Sequence, residues 1–117
     1  MQDETFTLVV DAENVRRSTW PNVGPERLVE LVRAWAAEHD CHALVVFDGS
    51  PHGEGDERCR VVGSGSGSAD DWIAAEAPAL GRYWLVTSDR ELRRRAGEAA
   101  ERVLGGGSFL RELGAGR

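Results

Sequence analysis

The sequence predicts an α/β domain with a parallel sheet of four to five strands flanked by helices. Three observations predict it: short, evenly spaced apolar runs, helical periodicity in the segments between them, and a length of 117 residues, which suits one domain spanning 1–117. The apolar runs are rich in β-branched and aromatic residues. That composition suits strands covered on both faces, as in a parallel sheet.

The strands are taken in order. Phe6 to Val10 reads as the first and Ala43 to Phe47 as the second. Val61 and Val62, within Arg60 to Gly63, mark a short third. Tyr83 to Thr87 is the fourth, and Val103 with Leu104 would add a short fifth. Between them, Gly24 to His39 opens with Pro25 and Glu26, residues suited to a first helical turn. Leu28, Leu31, Val32 and Trp35 recur there at helical spacing and predict a core face. Ser68 and Asp71 have the spacing of a helix start, and Pro78 is expected to end that helix near Ala77. A third helix is expected over Asp89 to Ala100, interrupted or ended near Gly97, and a last turn over Ser108 to Leu113. The Gly/Ser run from Gly63 to Ser68 reads as a flexible loop, too central for a domain boundary.

Composition narrows the function. The net charge of −6 argues against salt-driven nucleic-acid binding by a basic surface, though an acidic site filled by metal stays compatible with it. No apolar run approaches the ~20 residues that span a bilayer. Met1 to Thr7 carries Asp3 and Glu4 and no basic segment, unlike a secretory signal. Cys41 and Cys59 lack metal-ligand spacing and read as a reduced pair, so the expected location is cytoplasmic. His39, His42 and His52 have no cluster spacing, which argues against a His-based zinc site.

Aspartates follow the strands. Asp11 follows the first and Asp48 the second; Asp70 and Asp71 open the helix after the third; Asp89 lies just past the fourth. In open parallel sheets ligands bind outside the carboxyl ends of the strands, so this topology would gather carboxylates at one edge. Such a cluster needs protons or cations to persist. Hard oxygen donors favour Mg²⁺ or Mn²⁺, and two such ions would bring the charge from −6 to −2. Taken singly, each residue has a plainer explanation. Asp11 and Asp48 could be turn formers, and Asp70, Asp71 and Asp89 could serve helix N-termini. It is their joint placement that points to a site.

Four segments in order carry a resemblance. They are Val9-Val10-Asp11-Ala12-Glu13-Asn14, Val45-Val46-Phe47-Asp48-Gly49, Ala69-Asp70-Asp71-Trp72-Ile73 and Val86-Thr87-Ser88-Asp89. With Trp20-Pro21 and the closing Gly106-Gly107-Ser108, the chain resembles the NYN domains of the PIN-like nuclease superfamily, in particular their YacP-like branch. The resemblance implies a PIN-like Rossmannoid fold, an Mg²⁺ or Mn²⁺ cofactor and ribonuclease activity, most simply endonucleolytic. By position, Asp11, Asp70 or Asp71, and Asp89 would be catalytic and hold metal. Asn14 and Ser88 would orient a ligand or water, and Asp48 would lie in or next to the ligand set. Glu13 stands where many members have an aromatic residue and adds a carboxylate. The implied partner is RNA, with structured or ribosome-associated RNA left open, and no membrane.

Arg16, Arg17, Arg90 and Arg93 flank these motifs, and their planar forks suit RNA phosphates. A solvated helix face paired with Glu91 and Glu98 is the alternative for the later arginines, Arg94 and Arg95 above all. Among the tryptophans, Trp35 and Trp84 fall in core patterns, Trp72 is expected against the sheet, and Trp20, in a loop, could stack on a base. Two competing classes are a non-catalytic RNA- or protein-binding module and a phosphatase or phospho-accepting receiver. The second class calls for a lysine near the phosphate, and all 14 basic residues here are arginine.

Overall fold

The computed structural model describes residues 5–114. Asp3 and Glu4 lie outside them. A five-stranded parallel sheet runs through the molecule in the order β3-β2-β1-β4-β5. Its strands are β1 (Thr7–Asp11), β2 (His42–Phe47), β3 (Cys59–Gly63), β4 (Tyr83–Val86) and β5 (Arg102–Leu104). The helices are α1 (Ala12–Arg16), α2 (Pro25–Glu38), α3 (Ala69–Glu76), α4 (Arg90–Ala96) and α5 (Gly106–Glu112). The sequence-derived plan is therefore borne out, with all five strands present.

Strand alternation divides the core in two. Leu8, Val10, Val45 and Phe47 face a layer containing Val15, Leu28, Val32, Trp35, Phe109 and Leu110, which come from α1, α2 and α5. Val9, Leu44, Val46 and Leu85 face Ile73, Leu92 and Ala96 from α3 and α4. Each such aliphatic side chain, fully buried, contributes roughly 1.5–3 kcal/mol. Tyr83 is also fully buried, and its hydroxyl donates to the Ala96 carbonyl at 2.6 Å, so the ring brings no unsatisfied polar atom into the core.

Some local expectations differ from the result. Helix α1 begins directly after β1 and is a single turn, too short for periodicity to register. It is held by buried Ala12 and Val15. The chain does not leave helical geometry at Pro78, because a 3-10 turn over Ala77–Leu80 follows α3 and takes Pro78 in its first turn, where a missing N–H costs nothing. Helix α4, by contrast, stops at Ala96 with Gly97 as its cap, the end expected there. The Gly63–Ser68 run, expected to be flexible, is stitched to the end of β2. Ser64 N–H donates to the Phe47 carbonyl at 2.9 Å, and Gly65 N–H to the Gly49 carbonyl at 3.0 Å. The Ser64 hydroxyl accepts from Gly49 N–H at 3.0 Å and donates to the Gly67 carbonyl at 2.7 Å. Backbone groups that a Gly/Ser loop would leave to water are thus paired within the protein.

The chain leaves β1 to one side for β2 and β3, then returns to the other side for β4 and β5. β1 therefore sits at the topological switch point, where the two directions of winding part and a crevice opens beyond the strand ends. Asp11 is the last residue of that strand.

Candidate functional site

Asp11 pairs in register with Val46 of β2, and Val10 pairs with Val86 of β4. Continuing that register past β4 sets Thr87 beside Asp11. Thr87 is fully buried, and its hydroxyl lies 2.8 Å from Asp11 Oδ2 and 3.2 Å from Asn14 Oδ1, with one proton to give to either. The same oxygen accepts from Asp89 N–H at 3.1 Å. Thr87 was not among the residues singled out from sequence. Period-two alternation alone would have put it on the Asp11 face, but the β1–β4 register that makes them neighbours is a tertiary fact.

Asp11 is 3% exposed. Burial pushes its carboxyl up from 3.8 to about 7, and the charges of Asp70, Asp48 and Asp89 push the same way, against the Thr87 hydrogen bond. The field of all three carboxylates thus reaches Asp11. Asp70 is half-buried at the start of α3, and burial raises its carboxyl too, with Asp89 and Asp48 adding to the effect. Asp11, Asp48, Asp70 and Asp89, from four separated segments, thus lie near enough at the strand ends for their charges to act on one another.

Each is held by local structure. Asp48 Oδ1 accepts from Ala69 N–H at 2.8 Å, so the residue after β2 fastens the first turn of α3. Asp89 caps α4 by accepting from Leu92 N–H at 3.0 Å, as its position after a strand allowed. Ser68 caps α3 by accepting from Asp71 N–H at 3.1 Å. The first two bonds fix the Asp48 and Asp89 carboxylates in place and occupy part of their acceptor capacity.

Asp71 is not brought into the cluster. Its Oδ1 takes a hydrogen bond from the Arg95 guanidinium at 2.7 Å, and that contact holds its carboxyl below the usual range. Successive helical residues diverge by about 100° around the axis, so Asp70 and Asp71 cannot both face the strand ends. Asp70 is the one that does.

The supporting residues act as clamps. Asn14 Oδ1 accepts from Ser88 N–H at 2.8 Å, tying α1 to the end of β4. Ser88 Oγ accepts from Gly106 N–H at 2.9 Å, tying β4 to α5. Gly106 permits this closeness, since a Cβ there would collide with Ser18 Oγ. Glu13 pairs with Arg16 at 3.0 Å and Arg17 at 3.3 Å. Arg16 also donates to the Val23 carbonyl at 3.3 Å, which makes it a brace for the following loop and not a free hold for phosphate. Arg93 Nε donates to the Thr87 carbonyl at 2.9 Å, which sets its guanidinium beside the site. Arg90 is exposed at the start of α4 and makes no ion pair among the described residues. Arg94 pairs with Glu91, as the solvated-face alternative expected.

Among the described residues no group of three or more His, Cys, Asp or Glu side chains stands arranged to hold a metal ion. The donor set still fits a hard cation. It consists of carboxylate oxygens alone, the charges of Asp70, Asp48 and Asp89 add to burial in raising Asp11, and Mg²⁺ needs only one or two direct carboxylates because it keeps several waters. No helix among the described residues is long and apolar enough to cross a membrane.

A scan against protein-family models and a search of curated proteins return no match. Similar solved structures include two of one protein. One is a single-substitution mutant of Rae1 (YacP) from Bacillus subtilis, with a TM-score of 0.75 and 20% identity over 94% of this chain and 76% of that one. The other is Rae1 (YacP) from Bacillus subtilis, with a TM-score of 0.70 and 23% identity over 92% of this chain and 72% of that one. At these identities the likeness is one of fold, and it bears out the fold that the YacP-like resemblance implied.

Proposed function

We propose that this chain is a divalent-metal-dependent ribonuclease, acting endonucleolytically on RNA phosphodiesters at the carboxyl edge of its sheet. The observation that carries the reading is the convergence of Asp11, Asp48, Asp70 and Asp89 at the switch point beside β1. Asp11, Asp70 and Asp89 would hold Mg²⁺ or Mn²⁺, with Asp48 adjoining them. A cation so held lowers the pKa of a water and neutralises charge growing on the phosphate and the leaving oxygen.

The rest is the work of this chain's own side chains. Thr87 holds Asp11 in one orientation and supports the backbone of Asp89. Asn14 and Ser88 keep the ends of β1, β4 and β5 aligned, so the carboxylates keep their spacing. Arg93 and Arg90, both on α4, would bind phosphates next to the one being cleaved. Attack by water at phosphorus forms a P–O bond as the ribose oxygen departs. Preorganised groups favour that charge distribution because they need not reorient.

One observation favours a second reading, a non-catalytic RNA- or protein-binding module: no metal-ready group of three side chains is present among the described residues. A single experiment separates the two. Pure protein and Asp11→Asn are each incubated with a fluorescently labelled, mixed-sequence RNA in Mg²⁺, in Mn²⁺ and in chelator. The ribonuclease reading expects cleavage that requires metal and disappears in Asp11→Asn. Cleavage at the wild-type rate by Asp11→Asn would refute the site, and no metal binding by titration together with no cleavage would establish the module.

A further inference from the structure

Trp20 is 88% exposed and is the exposed large apolar side chain among the described residues. The other three indoles are employed. Trp35 lies edge-on to Phe109, Trp84 stacks on Phe6 with Arg102 over its ring, and Trp72 packs against the α3–α4 side of the core. An isolated surface tryptophan needs no explanation in itself. The way this one is mounted does.

The loop bearing Trp20 is braced at both ends. Val23 N–H donates to the Arg16 carbonyl at 2.9 Å, and the Arg16 guanidinium returns a bond to the Val23 carbonyl at 3.3 Å. Ser18 N–H donates to the Val15 carbonyl at 3.0 Å, and Ser18 Oγ to the Asn14 carbonyl at 2.9 Å. Ser18 also abuts Gly106, whose N–H donates to Ser88 Oγ. A continuous line of contacts therefore runs from Asp11 through Thr87, Asn14, Ser88 and Gly106 to Ser18. Trp20 lies two residues beyond, within about 7 Å along the backbone. The indole is thus held out on a fixed mount that shares its foundations with the acidic site.

We infer that Trp20 is a stacking platform for an unpaired nucleobase flanking the phosphate at the acidic site. The inference takes the identity of the polymer from the ribonuclease reading. Its physical ground is the charge balance. At −6 the chain cannot draw its affinity from general phosphate electrostatics, whereas an indole face binds a base whatever the net charge. Stacking is worth about 1–3 kcal/mol per base, and a base inside a duplex has both faces already covered.

The test uses the full chain carrying Asp11→Asn, so that RNA survives, and reads anisotropy of a labelled single-stranded oligoribonucleotide in Mg²⁺. Adding Trp20→Ala should weaken binding about 5- to 150-fold, the range that follows from the stacking energy. Trp20→Phe should keep most of the affinity, and binding should quench an emission that Trp20→Phe lacks. A duplex of the same sequence should bind weakly and be indifferent to Trp20. Equal binding by Trp20→Ala, or equal preference for duplex, would overturn the inference and leave the exposed indole to a protein contact. Thermal midpoints of the variants guard against misfolding, to which so exposed a side chain is indifferent. The two readings fail separately. Trp20-dependent binding without metal-dependent cleavage by the unsubstituted chain defeats only the ribonuclease reading, and cleavage whose KM ignores Trp20→Ala defeats only the platform.

Discussion

Replacing Asp11 by Asn should stabilise the metal-free protein while abolishing its chemistry. In the native state the carboxyl titrates at about 7, against 3.8 for the unfolded chain, chiefly because it is buried and secondarily because Asp70, Asp48 and Asp89 surround it. Below pH 3.8 both states hold the proton and the group contributes nothing to pH dependence. Between 3.8 and about 7 the native state holds a proton that the unfolded state has lost, so stability falls as pH rises. Above about 7 neither state is protonated and the full penalty of a buried anion remains. At about 1.4 kcal/mol per pH unit the upper limit of that penalty is roughly 4 kcal/mol. Asparagine keeps an oxygen to accept from Thr87, carries no charge, and turns an amide toward the neighbouring carboxylates. Urea denaturation followed by tryptophan emission, in chelator, should therefore show a gain for Asp11→Asn of roughly 2–4 kcal/mol near pH 8 that is largely gone near pH 4. Saturating Mg²⁺ or Mn²⁺ should narrow the gap at alkaline pH by stabilising only the unsubstituted chain. A pH-independent difference, or a variant less stable at alkaline pH, would refute the placement of a buried, charge-crowded carboxyl at residue 11.

Other substitutions should separate the roles of neighbouring residues. Thr87→Val removes the hydroxyl shared by Asp11, Asn14 and the Asp89 N–H, and should cost about 1–3 kcal/mol in denaturation, with Thr87→Ser recovering most of it. Asp70→Asn should lower cleavage by at least the roughly 10–100-fold that even outer partners of a metal command, while Asp71→Asn, which loses surface contacts to Arg95 and Ser68, should leave kcat and KM near those of the parent. Cys41 and Cys59 are fully buried, and burial pushes both thiols up to about 11, so neither should react with a thiol reagent at neutral pH until denaturant opens the core.

The sequence by itself determined the class of fold and the edge of the sheet where carboxylates gather. Short runs rich in β-branched residues, such as Ala43 to Phe47, suit strands buried on both faces, and helices between them favour parallel pairing. Parallel strands send all their carboxyl ends to one edge, which is why Asp11, Asp48 and Asp89 could be grouped before any coordinates. The ends of elements were less legible, because a single turn such as α1 depends on a few local bonds and leaves little periodic signal. Only the tertiary structure chose between Asp70 and Asp71, since either residue suits a helix start and the choice follows from how α3 is rotated against the sheet. Only the structure turned Arg16 from a phosphate ligand into a loop brace, by bringing Glu13 and Val23 within reach. And only the β1–β4 register revealed Thr87. A strand's faces are written in its alternation, but which residue stands opposite which is settled by the packing of the whole sheet.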